Sequence, residues 1–297
     1  MKQSKLQRKV SGVGIVSCCI VTLFAVLCLV PFLYIIAASF SDESSLIREG
    51  YHLLPRKISF EAYQMVLGGR QIWDSYKVSI FTALAGTFLS LFFSSMLAYP
   101  LSTKRMKYGP AINFYVYFTM LFSGGLVPTY ILISRYLKLT NTVWVLILPV
   151  LVIPWNMFLL RNFYASIPAS LAESAKIDGA NEFTILVRII LPCSKPALAT
   201  VGLFYALGYW NEWFKAMLYN SGDKETWPLQ YLIMQLIRKA ETITNMAAQG
   251  MNISSANMPS STMKMATAIC TIGPIVLAYP FAQRFFTGGI MVGSVKG

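Results

Sequence analysis

Residues 10–41 read VSGVGIVSCCIVTLFAVLCLVPFLYIIAASFS and contain no Asp, Glu, Lys, Arg or His. A helix that crosses a bilayer needs about 20 mostly apolar residues, because the hydrocarbon core is ~30 Å thick and each residue adds ~1.5 Å. This run exceeds that length. It is also longer than the apolar core of a cleavable signal peptide, which has about 7–15 residues. It therefore predicts an uncleaved first membrane span.

Other long stretches of the chain also lack charged residues. Charge-free runs cover residues 78–103, 108–134, 139–160 and 265–283. A further candidate at 196–219 is interrupted only by Glu212 and Lys215, toward the far interface, where a charge is tolerated. We predict an all-α polytopic membrane protein, with one transmembrane domain over residues 1–297 and six transmembrane helices at about 12–37, 77–100, 110–133, 142–161, 196–218 and 264–283.

Composition and charge agree with a membrane protein. Apolar residues make up 56% of the chain and charged residues 12%, against about 25% charged residues in soluble domains. The net charge is +13, but the basic residues stand at the ends of apolar runs instead of forming one patch, so no nucleic acid is predicted as a partner. Basic clusters before the first span and at 104–107 predict N-in/C-in topology. The loop 164–195 and the tail 284–297 then lie in the cytoplasm.

Several predicted spans contain helix-weakening residues. Gly124, Gly125 and Pro128 lie in the third span, and Pro149 and Pro154 lie in the fourth. Gly and Pro are common in ordinary membrane helices. They also occur where broken helices line a pathway and expose backbone groups to water or substrate. Both interpretations remain open.

The cytoplasmic loop contains the stretch 167-IPASLAESAKIDGANEFTILVRIILPCSKPAL-198. Ser170 and Glu173 form a capping-box pattern that predicts the start of a short helix. Gly179 is placed to end that helix in a left-handed cap, and Asn181 can cap a second helix. Pro192 would terminate or bend this second helix before span five. The compact knob fits either docking into a groove of another protein or lying on the membrane surface.

This loop resembles the EAA loop of the permeases of bacterial ATP-driven (ABC) importers. The family pattern is Glu-Ala-Ala, then Asp-Gly-Ala, then a proline. Two departures occur, Ser174 at the middle Ala and Leu186 where an aromatic residue is common, and neither removes a charge or a turn residue. The matching residues are Glu173, Ala175, Asp178, Gly179, Ala180 and Pro192.

Three other stretches are similar to carbohydrate-importer permeases of the maltose-permease type, in the oligosaccharide and polysaccharide subgroup. They are the tail 283–297, the cluster Trp210-Asn211-Glu212-Trp213 and the stretch FSGGLVPTY at 122–130. The resemblance implies a bacterial inner-membrane permease that translocates an oligosaccharide delivered by an extracellular solute-binding protein. It also implies a heterodimer with a second homologous permease, and a cytoplasmic ATPase dimer.

The resemblance assigns the energy source to the ATPase. Residues 170–191 would act as a coupling helix in a cleft of that subunit, where Glu173 would pair with a basic residue and Gly179 would set the turn. ATP and Mg would be bound by the ATPase. The phosphate-binding pattern Gly-x-x-x-x-Gly-Lys-Ser/Thr is absent from the sequence, so the chain itself is predicted to bind no cofactor or metal and to have no catalytic residues.

Polar and aromatic residues in the spans are candidates for a substrate pathway. Asn211, Trp210, Trp213 and Tyr209 could contact sugar through amide hydrogen bonds and ring stacking, although Trp and Tyr also favour the membrane interface for other reasons. Asn156 is a further candidate, although buried amides often only join helices. Glu212 and Lys215 are predicted to pair along one helix face.

Two alternative functions fit less well. An ABC permease for a non-sugar solute would share the same coupling loop. An ion-coupled secondary transporter would be expected to keep ionisable residues near the bilayer midplane, and the charge-free runs argue against it.

Overall fold

The computed structural model of the protein describes residues 12–103, 105–249 and 260–289. In these ranges the regular elements are helical, apart from an isolated bridge between Ser41 and Ile58. The α-helices are α1 (Gly12–Ser39), α2 (Glu43–Glu49), α3 (Glu61–Leu67), α4 (Arg70–Ser102), α5 (Gly109–Leu121), α6 (Leu126–Ile131), α7 (Trp144–Ile147), α8 (Pro154–Ala165), α9 (Ala169–Ile177), α10 (Glu182–Ile185), α11 (Leu191–Cys193), α12 (Lys195–Trp210), α13 (Phe214–Tyr219), α14 (Leu229–Ala248) and α15 (Ser260–Gly289).

Two of the described helices are individually long and apolar enough to cross a membrane. They are Gly14–Ser39 within α1, and α4. Three bent helix pairs have enough length and hydropathy together, which raises the number of candidate spans to as many as five. The predicted span at 264–283 falls inside α15. An all-α membrane fold is confirmed, whereas the count of six spans stays a prediction.

The predicted spans three, four and five are not single continuous helices. α5 and Leu126–Tyr136 are bent by 109°, with Gly125 at a φ of 87° in the break. Trp144–Val150 and α8 are bent by 52°, and Pro154 is the first residue of α8. The fifth predicted span is interrupted at 211–213, between α12 and α13. Helix-weakening residues thus lie at the breaks in spans three and four, as their chemistry requires.

The chain forms two compact units, one made of residues 1–68 and 240–270 and the other of residues 69–239 and 271–297. In the first unit, the carboxylate of Glu43 accepts hydrogen bonds from the first turn of α15. The donors are the backbone N–H groups of Ser261 (2.9 Å) and Thr262 (2.8 Å) and the Thr262 hydroxyl (2.7 Å). An acidic group there satisfies free N–H groups and interacts favourably with the positive end of the helix dipole.

The second unit is organised around α4. A small-residue face on α4 repeats every three or four positions and is buried; we define it as Ser75, Ser79, Thr82, Gly86, Ser90, Ser94 and Ala98. Small side chains at this spacing let a neighbouring membrane helix approach closely, and hydroxyls add hydrogen bonds between helices. Ser90 and Ser94 bond the hydroxyls of Tyr209 (2.8 Å) and Tyr205 (2.7 Å) on α12.

The predicted cytoplasmic tail is partly helical. α15 continues to Gly289 and so includes residues 284–289. Residues 290–297 lie outside the described residues.

Candidate functional site

The loop at 164–195 folds as the predicted helix, turn and second helix. α9 is followed by α10, which continues through a π-helical turn at Leu186–Ile190 into α11. The Asn181 side chain caps α10 by accepting a hydrogen bond from the N–H of Thr184 at 2.8 Å, so this predicted cap is confirmed.

The capping box predicted at Ser170 and Glu173 is wrong. α9 begins at Ala169 with Pro168 at the N-cap, and no side chain caps it. Ser170 therefore lies inside the first turn, past the position from which a hydroxyl can cap. The Glu173 carboxylate instead meets Arg105, which precedes α5, with Nη2 and Oε1 separated by 3.3 Å.

The turn after α9 is a Schellman motif built from the residues of the sequence pattern. Gly179 has a φ of 81°, and its N–H donates to the Lys176 carbonyl at 3.0 Å. The N–H of Ala180 donates to the carbonyl of Ala175 at 2.9 Å. This pair of bonds, with glycine in the left-handed conformation, is the standard way to close a helix C-terminus. The left-handed cap predicted at Gly179 is confirmed, and Asp178 is the C-cap residue before it.

The exit from the loop is sharply bent. Glu182–Cys193 and α12 make an angle of 86°, with Ser194 between them. Pro196 lies in the first turn of α12, where proline is tolerated because the missing N–H would have no intrahelical partner. Pro192 directly follows the π-helical turn, near the end of Glu182–Cys193. The predicted bend before span five is therefore present.

Three polar side chains connect the two arms of the loop to the C-terminal end of α4. Lys176 on α9 forms an ion pair with Oε1 of Glu182 on α10. The Tyr99 hydroxyl on α4 donates to Oε2 of the same carboxylate at 2.7 Å. The hydrogen bond from Lys176, then that from Tyr99, holds the pKa of Glu182 below its ordinary value of 4.5. Glu182 is therefore ionised at neutral pH.

The loop exposes large apolar side chains that sequence reasoning missed. Ile177 is 87% exposed and Phe183 is 58% exposed, on either side of the Schellman turn. Leu171 on α9 is also exposed. An exposed apolar group rimmed by charges is typical of a protein contact surface. A usable signal was the position of these residues beside turn-forming residues in a loop that is otherwise small and polar.

Two of the predicted pathway residues are buried between helices. The Tyr209 hydroxyl contacts Ser90 at 2.8 Å and the Ile147 carbonyl at 3.4 Å. Trp210 is buried, and its indole N–H donates to the carbonyl of Thr271 at 3.2 Å. Both residues join helices in this conformation.

The remaining pathway candidates lie on one helix and at a break between two others. Asn211 and Trp213 are exposed at the break between α12 and α13, where Asn211 accepts a hydrogen bond from Gln230 at 3.2 Å. Asn156 is buried on α8. The predicted pairing of Glu212 with Lys215 is confirmed as an ion pair.

Comparison with known proteins identifies the family of this fold and loop. Residues 79–291 match the family described as "Binding-protein-dependent transport system inner membrane component". The chain belongs to this family. The resemblance found at the loop 164–195 is confirmed, and the protein is a multi-pass membrane permease component.

Individual relatives and a solved structure extend the match to almost the whole chain. The polygalacturonan/rhamnogalacturonan transport system permease protein YtcP of Bacillus subtilis is 41% identical, over 93% of this chain and 95% of the relative. The arabinooligosaccharides permease AraQ of Halalkalibacterium halodurans is 29% identical, over 90% and 91%. A bacterial ABC transporter involved in the import of the acidic polysaccharide alginate contains a chain with a TM-score of 0.81 and 32% identity, covering 94% of this chain and 98% of that one.

Proposed function

We propose that this chain is a permease subunit of an ATP-driven ABC importer that translocates an oligosaccharide in the bacterial inner membrane. An extracellular solute-binding protein delivers the sugar. A second, homologous permease completes the transmembrane pathway, and a cytoplasmic ATPase dimer supplies the energy. The observation that carries the proposal is the exposed apolar knob at the Schellman turn, in a chain of this permease family. The apolar knob consists of the side chains of Leu171, Ile177 and Phe183.

The geometry of the knob supports a docking role in preference to a membrane-surface role. α9 has no buried residue, so it projects from the helices that support the loop. Ile177 and Phe183 lie on either side of a turn fixed by two backbone hydrogen bonds. A stiff element with a small apolar tip can enter a cleft and carry force, because its shape does not change on binding.

Glu173 can exchange its ion-pair partner, Arg105, for a residue of the ATPase when the loop docks. Its ion pair with Arg105 at 3.3 Å is solvent-exposed on both sides. Exposed pairs of this kind contribute about 0–1 kcal/mol, so a basic residue of the ATPase can replace Arg105 at small cost. We propose Glu173, Ala175, Asp178, Gly179, Ala180 and Pro192 as the coupling residues, with Leu171, Ile177 and Phe183 as the apolar contact surface.

Sugar as the substrate class is supported by the names of the relatives, which include transporters of polygalacturonan/rhamnogalacturonan, arabinooligosaccharides and alginate. In this chain, Asn211 and Trp213 are the exposed members of the predicted pathway group. An amide beside an indole ring offers hydrogen bonds to sugar hydroxyls and an apolar face for stacking. The pathway role of Tyr209, Trp210 and Asn156 stays a prediction.

The topology follows from the same proposal. Six spans at the predicted positions, with both termini inside, place the loop at 164–195 in the cytoplasm beside the ATPase. In this topology the bent helix pairs that contain α5 and α8 form spans three and four, and α12 with α13 forms span five.

The proposal can be tested by affinity purification through an N-terminal tag in native membranes, with mass spectrometry of the retained proteins. We expect a second permease and an ATPase to co-purify with the wild-type chain. Ile177→Asp should lose the ATPase and keep the second permease, because a buried carboxylate in the docking cleft is strongly unfavourable.

A matched control is available in the outer loop. Ile47 is 71% exposed, so Ile47→Asp makes the same chemical change on the other side of the membrane. This variant should retain the ATPase. Recovery of the wild-type chain alone, in a detergent that keeps known importers intact, would refute the importer assignment. Retention of the ATPase by Ile177→Asp would refute the docking surface.

A further inference from the structure

The helix that carries the apolar knob is weakly packed. None of the α9 residues is buried, and its inner side contributes only small groups, Ala172 and Ala175, to contacts with the hydrophobic core. The second arm differs, because Ile185, Leu186 and Ile190 are buried in that core. Apolar burial therefore fixes the second arm firmly, whereas α9 depends on other contacts to keep its position.

Polar contacts supply the missing connection. Lys176 ties α9 to Glu182, and Glu182 is tied in turn to Tyr99 at the end of α4. One carboxylate thus uses each of its oxygens for a different helix. Charge-assisted hydrogen bonds are short and directional, so they fix orientation as well as distance. The bond between Tyr99 and Glu182 joins residues that are 83 positions apart in the chain.

Open space flanks this connection. A pocket of about 340 Å³ and another of about 420 Å³ are both lined by Tyr99, Arg105 and Lys176. Side chains beside a cavity have fewer neighbours to hold them in place. Loss of a polar contact here would therefore not be compensated by surrounding packing, as it would be in the core.

α4 is placed to receive movement from α9 through this connection. Tyr99 is buried at its cytoplasmic end, and the small-residue face of the same helix bonds Tyr205 and Tyr209 of α12. We propose that Tyr99, Lys176 and Glu182 form a clamp that makes the coupling helix α9 and the cytoplasmic end of α4 move as one body. These are positioning residues. The clamp deepens the proposed function, since it rests on α9 being the element that the ATPase moves.

Distances between spin labels test the clamp without knowledge of the sugar. Labels are placed on α9 by Ser170→Cys and on α4 by Met96→Cys, in a background that lacks the native cysteines. The complex with the second permease and the ATPase is measured alone and after trapping with ATP and vanadate. In the wild type, one narrow distance is expected in both conditions, because the two helices move together.

Tyr99→Phe removes only the hydroxyl and keeps the ring. We expect a second, broader distance whose population rises about tenfold, as the loss of a hydrogen bond to a charged group implies. Glu182→Gln should have the same effect by removing the ion pair. Tyr164→Phe is the matched control, since it deletes another buried hydroxyl, one that donates to Ser95 at 3.0 Å. This control should keep the narrow distance.

Each other outcome overturns the clamp. One is a wild-type distance that changes on trapping, since the helices would then move separately. Another is a narrow distance that persists in both Tyr99→Phe and Glu182→Gln. A third is broadening in Tyr164→Phe, which would show a general effect of hydroxyl loss. Failure of the proposed function is distinguishable, because the wild-type chain would then recruit no ATPase, while the untrapped distances would still report on the clamp.

Discussion

Substitution of Gly179 by valine is expected to weaken docking of the ATPase without removing the permease from the membrane. Gly179 has a φ of 81°, and a Cβ built at this position would meet nothing within 4 Å. The cost of the substitution is therefore a backbone cost and not a steric clash with the rest of the protein. Left-handed backbone costs an L-residue roughly 1–2 kcal/mol, and a β-branched side chain is among the least tolerant.

The chain can respond to this strain in two ways that have similar free-energy costs. It can keep the turn and accept the strain, or it can open the last turn of α9 and lose the bonds from Gly179 at 3.0 Å and Ala180 at 2.9 Å. Each such bond contributes about 0.5–1.5 kcal/mol. If the intact turn is the form that docks, only the opened fraction loses affinity: the loss is about twofold when the two costs are equal, and about sixfold when the strain exceeds the lost bonds by about 1 kcal/mol.

The predicted outer loop offers a control glycine that also has a positive φ. Gly50 has a φ of 84°, and a Cβ added to this residue would also meet nothing within 4 Å. Gly50→Val therefore also strains the backbone, in a loop that the proposed topology places on the opposite side of the membrane. Gly179→Asn is a second comparison, because asparagine tolerates the left-handed conformation.

The assay is the Kd of the purified ATPase for the permease pair held in lipid nanodiscs. Gly179→Val should raise this Kd about 2- to 6-fold, as estimated from the fraction of opened turn, whereas Gly179→Asn should raise it less and Gly50→Val should leave it unchanged. The reasoning would be refuted if Gly179→Val bound the ATPase as tightly as wild type while its melting temperature showed the strain.

Three further outcomes are expected. Gly86→Ala should lower the free energy of unfolding by about 1–3 kcal/mol, measured by thermal denaturation, because the added Cβ would lie 2.7 Å from the ring of Tyr209 on α12. Gly208→Ala should not lower it, because a Cβ at that position would meet nothing within 4 Å. Glu43→Ala should increase proteolytic cutting near the start of α15, because three hydrogen bonds are lost, whereas Glu49→Ala removes only an exposed ion pair and should have little effect. Because the pKa of Glu182 is lowered, its ion pair stabilises the folded loop fully above pH 4.5, and this stabilisation is lost as the pH falls through the folded-state pKa. The spin-label distance should therefore broaden only below pH 4.5 in wild type. Glu182→Gln should show no such change with pH.

The membrane helices and the turn could be predicted because both depend on local sequence. A charge-free run of membrane length has few other stable environments, and a glycine after a short helix is a local cap signal. Asn181 caps its helix through Thr184, three residues away, so the same reasoning succeeds there. The capping box failed because the helix begins one residue before Ser170, and boundaries of this precision depend on the preceding proline.

The contacts that hold the loop in place could not be predicted. Tyr99 and Glu182 meet across 83 positions, and Arg105 meets Glu173 across 68. The sequence pattern of one segment gives no indication of which distant segment it contacts. The burial of Tyr209 has the same origin, since it depends on Gly86 and Ser90 of a distant helix. A small-residue repeat on α4 was a readable signal for close helix packing, although it does not identify the helix that packs there.

The sequence pattern of the loop and its contact surface are carried by different residues. Ala175, Gly179 and Ala180 form the turn through backbone hydrogen bonds, and the two alanines are partly buried against the core. Their side chains are thus needed for the shape of the loop and offer little surface to a partner. Ile177 and Phe183 are outside the pattern but present most of the exposed apolar surface beside the turn. We therefore expect permeases with the same pattern to share a docking geometry, and selection among ATPases to follow the side chains at 177 and 183.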